Sequence, residues 1–293
     1  MGNIILVAET GSDIPANLAE KHGIYLVPMH VTMGDRTLDD ASFPPEEICN
    51  YYDQTGHLPT TSGCTPEDFR KVFEKIHRQY PDKHILHLAY SAVTTVSYQS
   101  AIIAAEDLDY VTSIDTKHVS AGQAAVVLLM ARFLEDSPDL TVSEAIDAAH
   151  EFIGSARMCF LPKDLEYLRA GGRVSNVVAL GGRILSLHPC IEIVDGYLVA
   201  KKKYRGNLEK VVPALIREYS QREHLAKDHV TLLWSTGLPD NVRQLAEEEV
   251  RRCGFASFTW FKTGCVITTH GGPGCFGIAG FAEASAEAQL QNG

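Results

Sequence analysis

Three stretches of the chain crowd together groups that can hold an anion. Residues 269–280 read THGGPGCFGIAG, in which His270 leads into Gly271, Gly272 and Gly274. A histidine beside a run of glycines lets backbone N–H groups come close to a bound anion. In LPTTSGCTPEDF, the hydroxyls of Thr60, Thr61, Ser62 and Thr65 precede a helical pattern whose N-terminus attracts negative charge. An N-cap needs only one of them, Thr65, which leaves Thr61 and Ser62 spare. LAYSAVTTVSYQSA offers Ser91, Thr94 and Thr95 where a strand hands over to a helix, the place where open α/β sheets bind ligands. A plainer alternative for the first stretch is a tight turn with His270 satisfied nearby.

Other chemistries fit these residues poorly. Gly272, Gly274 and Gly277 spell G-x-G-x-x-G, but a dinucleotide turn follows a first strand and is answered by an acid about 20 residues later. The segment after Gly277 has no room for that return. His270-Gly271-Gly272 is like the oxyanion loop of some esterases, yet the chain contains no G-x-S-x-G elbow. No Gly-Lys pair occurs, so there is no phosphate-binding P-loop. The twelve histidines are scattered, and His84 and His87 would point to opposite faces of a strand, so no metal site is expected. Donor-rich loops without paired catalytic acids read as an anion-binding site. A stand-alone hydrolase or phosphotransferase using His270 and the hydroxyl cluster is the alternative.

The 37 acidic residues outnumber the 26 basic ones, for a net charge of −11, which disfavours coating nucleic acid or an anionic membrane. Within that acidic chain, KKKYRG at 201–206 is a basic island. It suits a phosphate or an acidic partner, or else a hairpin edge protected by lysines. The longest apolar run, AAVVLLMARFL, is interrupted by Arg132 and is too short to span a membrane. MGNIILVAETGSD reads as a strand rather than a signal peptide, and Leu6 stands where a myristoylation signal wants Ser or Thr. Seven cysteines without a C-x-x-C pair suggest free thiols, and a cytoplasmic protein is expected.

The elements that must position these loops alternate. Strands are expected at NIILVAE, IYLVPMHV, HILHLAY and VTSID. Helices are expected at PANLAEKHG, TPEDFRKVFEKIHRQY, SYQSAIIAAEDL and the buried SAGQAAVVLLMARFLED. TVSEAIDAAHEFI opens with a capping box, Thr141 to Glu144. Further on, LPKDLEYLRAGG is a helix with Gly171 at its C-cap, and CIEIVDGYLVAKKKY is a hairpin around Asp195-Gly196. HVTLLWST and ASFTWFKTG read as strands around a helical LPDNVRQLAEEEVRRCG. The expectation is an α/β protein of two domains. Residues 1–157 form a largely parallel sheet with helices on both faces, and 158–293 form a second α/β domain with a mixed sheet.

Taken together, the motifs resemble the DegV family of bacterial fatty-acid-binding proteins over essentially the whole chain. AETGSDIP is similar to the family's acid-rich opening turn, with Glu9 where Asp is usual. TTSGCTPEDF keeps Thr61, Ser62, Pro66 and Phe69 of a Thr-Ser-x-Pro-x-Pro-x-x-Phe motif, with Cys64 at a usual proline. YSAVTTVSYQSA retains Ser91, Thr95, Ser97, Tyr98 and Gln99, but has Ala92, Thr94 and Val96 where Ser, Leu and Gly are usual. LEYLRAGGRVS, KKYRG and HGGPGCFGIA resemble the family's Gly-Gly-Arg, Lys-x-Arg-Gly and His-x-Gly-Pro-Gly elements.

The resemblance implies one long-chain fatty acid held in a tunnel in the second domain, its carboxylate at the domain junction. Thr61, Ser62, Ser91 and His270 would contact the carboxylate with help from N–H groups near Gly271. Thr94 or Thr95 would take over the hydroxyl role missing at Ala92. Arg173, Lys203 and Arg205 would face a separate ATP-binding fatty acid kinase subunit. That partner would bring ATP and Mg and phosphorylate the bound acid to an acyl-phosphate for phospholipid synthesis. The chain itself would then need no cofactor and would be a carrier rather than an enzyme. A lipid-sensing regulatory protein is the further alternative.

Overall fold

Apolar β-branched runs alternating with helical segments produce parallel strand–helix–strand units in the first half of the chain. The structure is a computed structural model that describes residues 2–163, 165–172 and 187–283. Strand β1 (Ile4–Glu9) leads through a 3-10 turn (Thr10–Ser12) to α1 (Ala16–Lys21) and β2 (Tyr25–Val27). The stretch read as one strand, IYLVPMHV, is two. Pro28 cannot donate to a ladder, and β3 (His30–Met33) leaves for a different sheet, where it pairs with β4 (Arg36–Asp39). After α2 (Glu46–Thr55), β5 (Thr60–Ser62) pairs with the other edge of β3 and completes a small antiparallel sheet of order β4-β3-β5.

Helix α3 (Pro66–Gln79) starts at the expected cap. Thr65 Oγ1 accepts the Asp68 N–H, and Asp68 Oδ2 accepts the Thr65 N–H at 2.8 Å. Next come β6 (His84–Ala89), α4 (Ser97–Ala104), β7 (Val111–Asp115), α5 (Ser120–Asp136) and α6 (Val142–Ser155), the last with its Thr141–Glu144 box in place. The four-stranded sheet has order β2-β1-β6-β7 and is parallel throughout.

The second sheet is mixed, as expected. It is built from β8 (Ala156–Leu161), then, beyond α7 (Glu166–Gly171), the hairpin β9 (Leu187–Val194) and β10 (Tyr197–Arg205). Asp195 and Gly196 both have positive φ, 48° and 85°, as a tight two-residue turn demands. After α8 (Leu208–Arg222) come β11 (Val230–Trp234), α9 (Asp240–Arg252), β12 (Phe258–Lys262), α10 (Cys265–Gly271) and β13 (Phe276–Phe281). The order is β10-β9-β8-β13-β11-β12, with β11 and β12 parallel and the other pairs antiparallel.

Residues 269–280 are therefore not one flexible glycine loop. They are the end of α10, a short turn, and most of a strand at the centre of the sheet. The helix at LPKDLEYLRAGG likewise runs one residue further than expected, with Gly172 in the left-handed conformation (φ 61°) as its C-cap. Helix α5 packs against strands of both large sheets, which is why its sequence is apolar almost all round. A single cluster of buried side chains accordingly runs from Val7 and Phe69 through Val126 to Leu233 and Ala279. Among the described residues no helix is long and apolar enough to cross a membrane, and no three His, Cys, Asp or Glu side chains are grouped to hold a metal ion. The seven cysteines are free thiols.

Candidate ligand site

The start of α5 meets the mixed sheet, the small antiparallel sheet and α10 at a cavity with about 810 Å³ of atom-free space, partly open to solvent. Its wall comes from both halves of the chain. Met29, Val119, Met158, Phe160, Leu198, Leu233 and Val266 make it apolar. The same wall carries the polar side chains of Thr61, Ser62, Thr94, Thr95 and His270, with Gly271. The N-terminus of α5 reaches this wall through Val119 and Ser120 and brings the partial positive charge of a long helix.

Thr61 and His270 are 209 residues apart in sequence, yet Thr61 Oγ1 lies 2.8 Å from His270 Nε2. Thr61 owes its place to β5, paired with Val31 of β3. His270 occupies the last turn of α10, a favourable place for a ring that can carry positive charge. The ring fits there because Gly171 has no side chain: a Cβ at that position would overlap the His270 ring. In return, Gly272 (φ 72°) packs so tightly on Tyr167 that a Cβ would come within 2.8 Å of it. The Leu-x-Tyr-Leu-x-x-Gly-Gly element and the His-Gly-Gly element are thus two sides of one contact. Gly271 is the last residue of α10, at the negative end of the helix, so the polar group offered to the cavity there is the His270 side chain.

The two hydroxyl loops are tied together. Ser97 Oγ accepts the Cys64 N–H at 3.1 Å and lies 3.2 Å from Thr95 Oγ1. Thr94 Oγ1 donates to the Ser91 carbonyl at 2.9 Å. Ser91 itself is fully buried and absent from the cavity wall. Its hydroxyl is spent on the Gly196 carbonyl at 2.9 Å, which fastens the β9–β10 turn to the first half of the chain. At Ala92 the backbone N–H donates to Asp115 Oδ1 at 3.2 Å. Lys203 and Arg205 lie exposed on β10, the edge strand, and do not line the cavity. Arg173 lies outside the described residues.

Sequence reasoning missed the buried supports. Glu9 Oε2 accepts the Tyr90 N–H at 2.9 Å and the Gln123 side-chain amide at 2.7 Å, while Oε1 lies 3.3 Å from His87 Nε2. This fixes the residue at which β6 passes into the hydroxyl loop. Cys275 lines the cavity, but burial pushes its thiol up to about 12, so it is a protonated wall group and no nucleophile. Cys64, beside the hydroxyls, is fully buried and its thiol is also raised by burial.

His118 sits just before α5, and its carbonyl accepts the Ser91 N–H at 2.9 Å. Burial presses the imidazole down to about 4, from an ordinary 6.5. The unfolded chain takes up this proton below about pH 6.5 and the folded chain only near 4, so stability is lost as pH falls through that window. The loss is at most about 3 kcal/mol. Melting temperatures followed from pH 7 to 4.5 should fall more steeply for the wild type than for His118→Gln; equal slopes would remove His118 as the cause.

The sequence matches the family model described as "Uncharacterised protein, DegV family" over residues 3–283. The chain belongs to the DegV family. A DegV domain-containing protein of Caldanaerobacter subterraneus is 28% identical over 285 residues, covering 95% of this chain and 98% of its own. A protein of Thermotoga maritima named a fatty acid-binding protein is 26% identical, covering 93% of this chain and 96% of its own. Among solved structures, a DegV family protein of Thermus thermophilus described by its fatty acid binding superposes with a TM-score of 0.86 at 26% identity. That match covers 96% of this chain and all of the other. At that TM-score the two chains share one fold.

Proposed function

We propose that this DegV protein binds one long-chain fatty acid, with the acyl chain along the apolar wall and the carboxylate among Thr61, Ser62, Thr95 and His270, while Thr94 holds the hydroxyl loop through the Ser91 carbonyl. The observation that carries this reading is a cavity that is apolar over most of its surface yet includes hydroxyls and one imidazole in its wall, with Thr61 and His270 in contact. The names of the Thermotoga and Thermus relatives point the same way. Burying ~15 methylenes at ~0.8 kcal/mol each gives at most ~12 kcal/mol before the costs of association. That gain is realised only if the carboxylate is also hydrogen-bonded, because an unpaired buried charge is prohibitive.

The finer part of the proposal is that the bound acid is presented to a separate ATP-binding kinase subunit. A carboxylate oxygen attacks the γ-phosphorus of ATP, ADP leaves, and an acyl-phosphate for phospholipid synthesis results. Hydroxyls leave the carboxylate more nucleophilic than a bidentate Arg clamp would. The exposed Lys203 and Arg205 are the docking residues assigned to that partner, which supplies ATP and Mg.

Mass spectrometry of an organic extract of the purified protein tests the binding step. A long-chain acid is expected, either co-purifying or exchangeable into delipidated protein, and its recovery identifies chain length and unsaturation. Failure to find a long-chain acid by either route would overturn the proposal.

A further inference from the structure

Helix α10 carries His270 at one end and is an unlikely helix by itself. Its seven residues, CVITTHG, include four β-branched side chains and fall far below the ~12–15 residues at which isolated helices become marginally stable. The N-cap residue is Gly264, which has no side chain to cap with. The cap comes instead from distant acids. Asp13, in the turn after β1, accepts the Gly264 N–H on Oδ1 at 2.6 Å and the Ser120 hydroxyl on Oδ2. Asp40, just after β4, accepts the N–H groups of Cys265 and Val266 on Oδ1, at 2.8 and 3.3 Å, as well as that of Ala41 at 3.0 Å. Both carboxylates are buried. They close on the same point of backbone: a Cβ at Gly264 would lie 3.2 Å from Asp40 Oδ1 and 3.3 Å from Asp13 Oδ1.

We infer that Asp13 and Asp40 are positioning residues for the headgroup site, acting through the first turn of α10 to set where its last turn presents His270. The inference rests on the fatty-acid reading above and extends it to residues that never touch the ligand. The geometry makes the coupling direct. A seven-residue helix is about 10 Å long and moves as a rigid piece, so a shift at Gly264 is carried to His270. A misplacement of about 1 Å is enough to spoil a polar constellation. Ser120 adds a second line of coupling. It has a positive φ of 46°, lines the cavity, and is held there by the same Asp13. Asp13 thus sets the orientation of a cavity hydroxyl at the start of α5 and of the helix bearing the cavity imidazole.

The test compares delipidated full-length protein binding hexadecanoic acid and hexadecanol, which share the chain and differ in the headgroup. Asp13→Ala and Asp40→Ala are each expected to cut the preference for acid over alcohol by roughly tenfold, the usual consequence of losing buried hydrogen bonds. Affinity for the alcohol should stay within about threefold of wild type. Asp40→Asn should restore the preference, because all three N–H groups fall on one oxygen that an amide carbonyl can replace. The His270 imidazole resonances should move in the Ala variants and return in Asp40→Asn. Gly264→Ala, which only crowds the two carboxylates, gives an intermediate loss of preference and serves if an Ala variant does not fold. Acid and alcohol affinities falling together, or an unchanged preference in all variants, would overturn the inference. Wild-type protein that binds neither ligand would overturn the fatty-acid reading itself, before any variant is made.

Discussion

Gly171→Val is expected to lower fatty-acid affinity by roughly ten- to a hundredfold, the range that corresponds to ~1–3 kcal/mol of overpacking. A side chain at 171 occupies the space of the His270 ring, so either the ring leaves its contact with Thr61 or α7 and α10 move apart. Gly171→Ala sharpens the argument through its sign. Position 171 is helical and its φ is not positive, and in such a place alanine normally stabilises by ~0.5–1 kcal/mol over glycine. Here it should destabilise, because even one methyl group overlaps the imidazole. Urea denaturation and acid titration of the two variants measure both effects. A more stable Gly171→Ala protein with unaltered affinity would mean that the ring does not need this gap.

Phe276→Ala should cost about 3–5 kcal/mol of stability, as full truncation of a buried phenylalanine does. For a chain of this size the melting temperature would drop by about 10 °C. Phe276 opens β13, is fully buried, and meets the Trp260 ring at a centroid distance of 6.0 Å. It faces Leu161 on one side and Trp234 on the other, so its cavity would open in the middle of the sheet. Had residues 269–280 been a surface loop, the same change would cost well under 1 kcal/mol. Thermal and urea unfolding of the two proteins separate these outcomes.

That second contrast illustrates what could be read from residue order. Signals written within a few residues were legible. The Thr65 N-cap, the Thr141 capping box, the Asp195-Gly196 turn and the all-apolar α5 each stand where local chemistry places them. The spare hydroxyls Thr61 and Ser62, with Thr94, Thr95 and His270, do gather at one cavity. What failed was decided by distant partners. CVITTHG has poor helical propensity and is held as α10 by its packing on distant elements and by the Asp13 and Asp40 caps from the other half of the chain. Ser91 looks available in sequence, but its hydroxyl is taken by a carbonyl 105 residues away. The break inside IYLVPMHV had a local signal, Pro28, that the apolar run concealed. Glu9 was visible only as an acid in an opening turn, and its role as the anchor of Tyr90 depends on a strand paired alongside it.

The order of strands in the mixed sheet also constrains how the protein can be made. β13 is later in the chain than β8 and β11, yet it lies between them and hydrogen-bonds to both. During synthesis, β8 with the β9–β10 hairpin and β11 with β12 share no strand-to-strand hydrogen bonds until β13 is available. Each keeps a bare apolar edge that invites pairing with other chains. The first sheet, whose strands all precede β8, can form on the ribosome well before this. Release of β13 from the exit tunnel is therefore the event that completes the sheet. The nascent chain is at its most aggregation-prone in the interval between the emergence of β12 and that release.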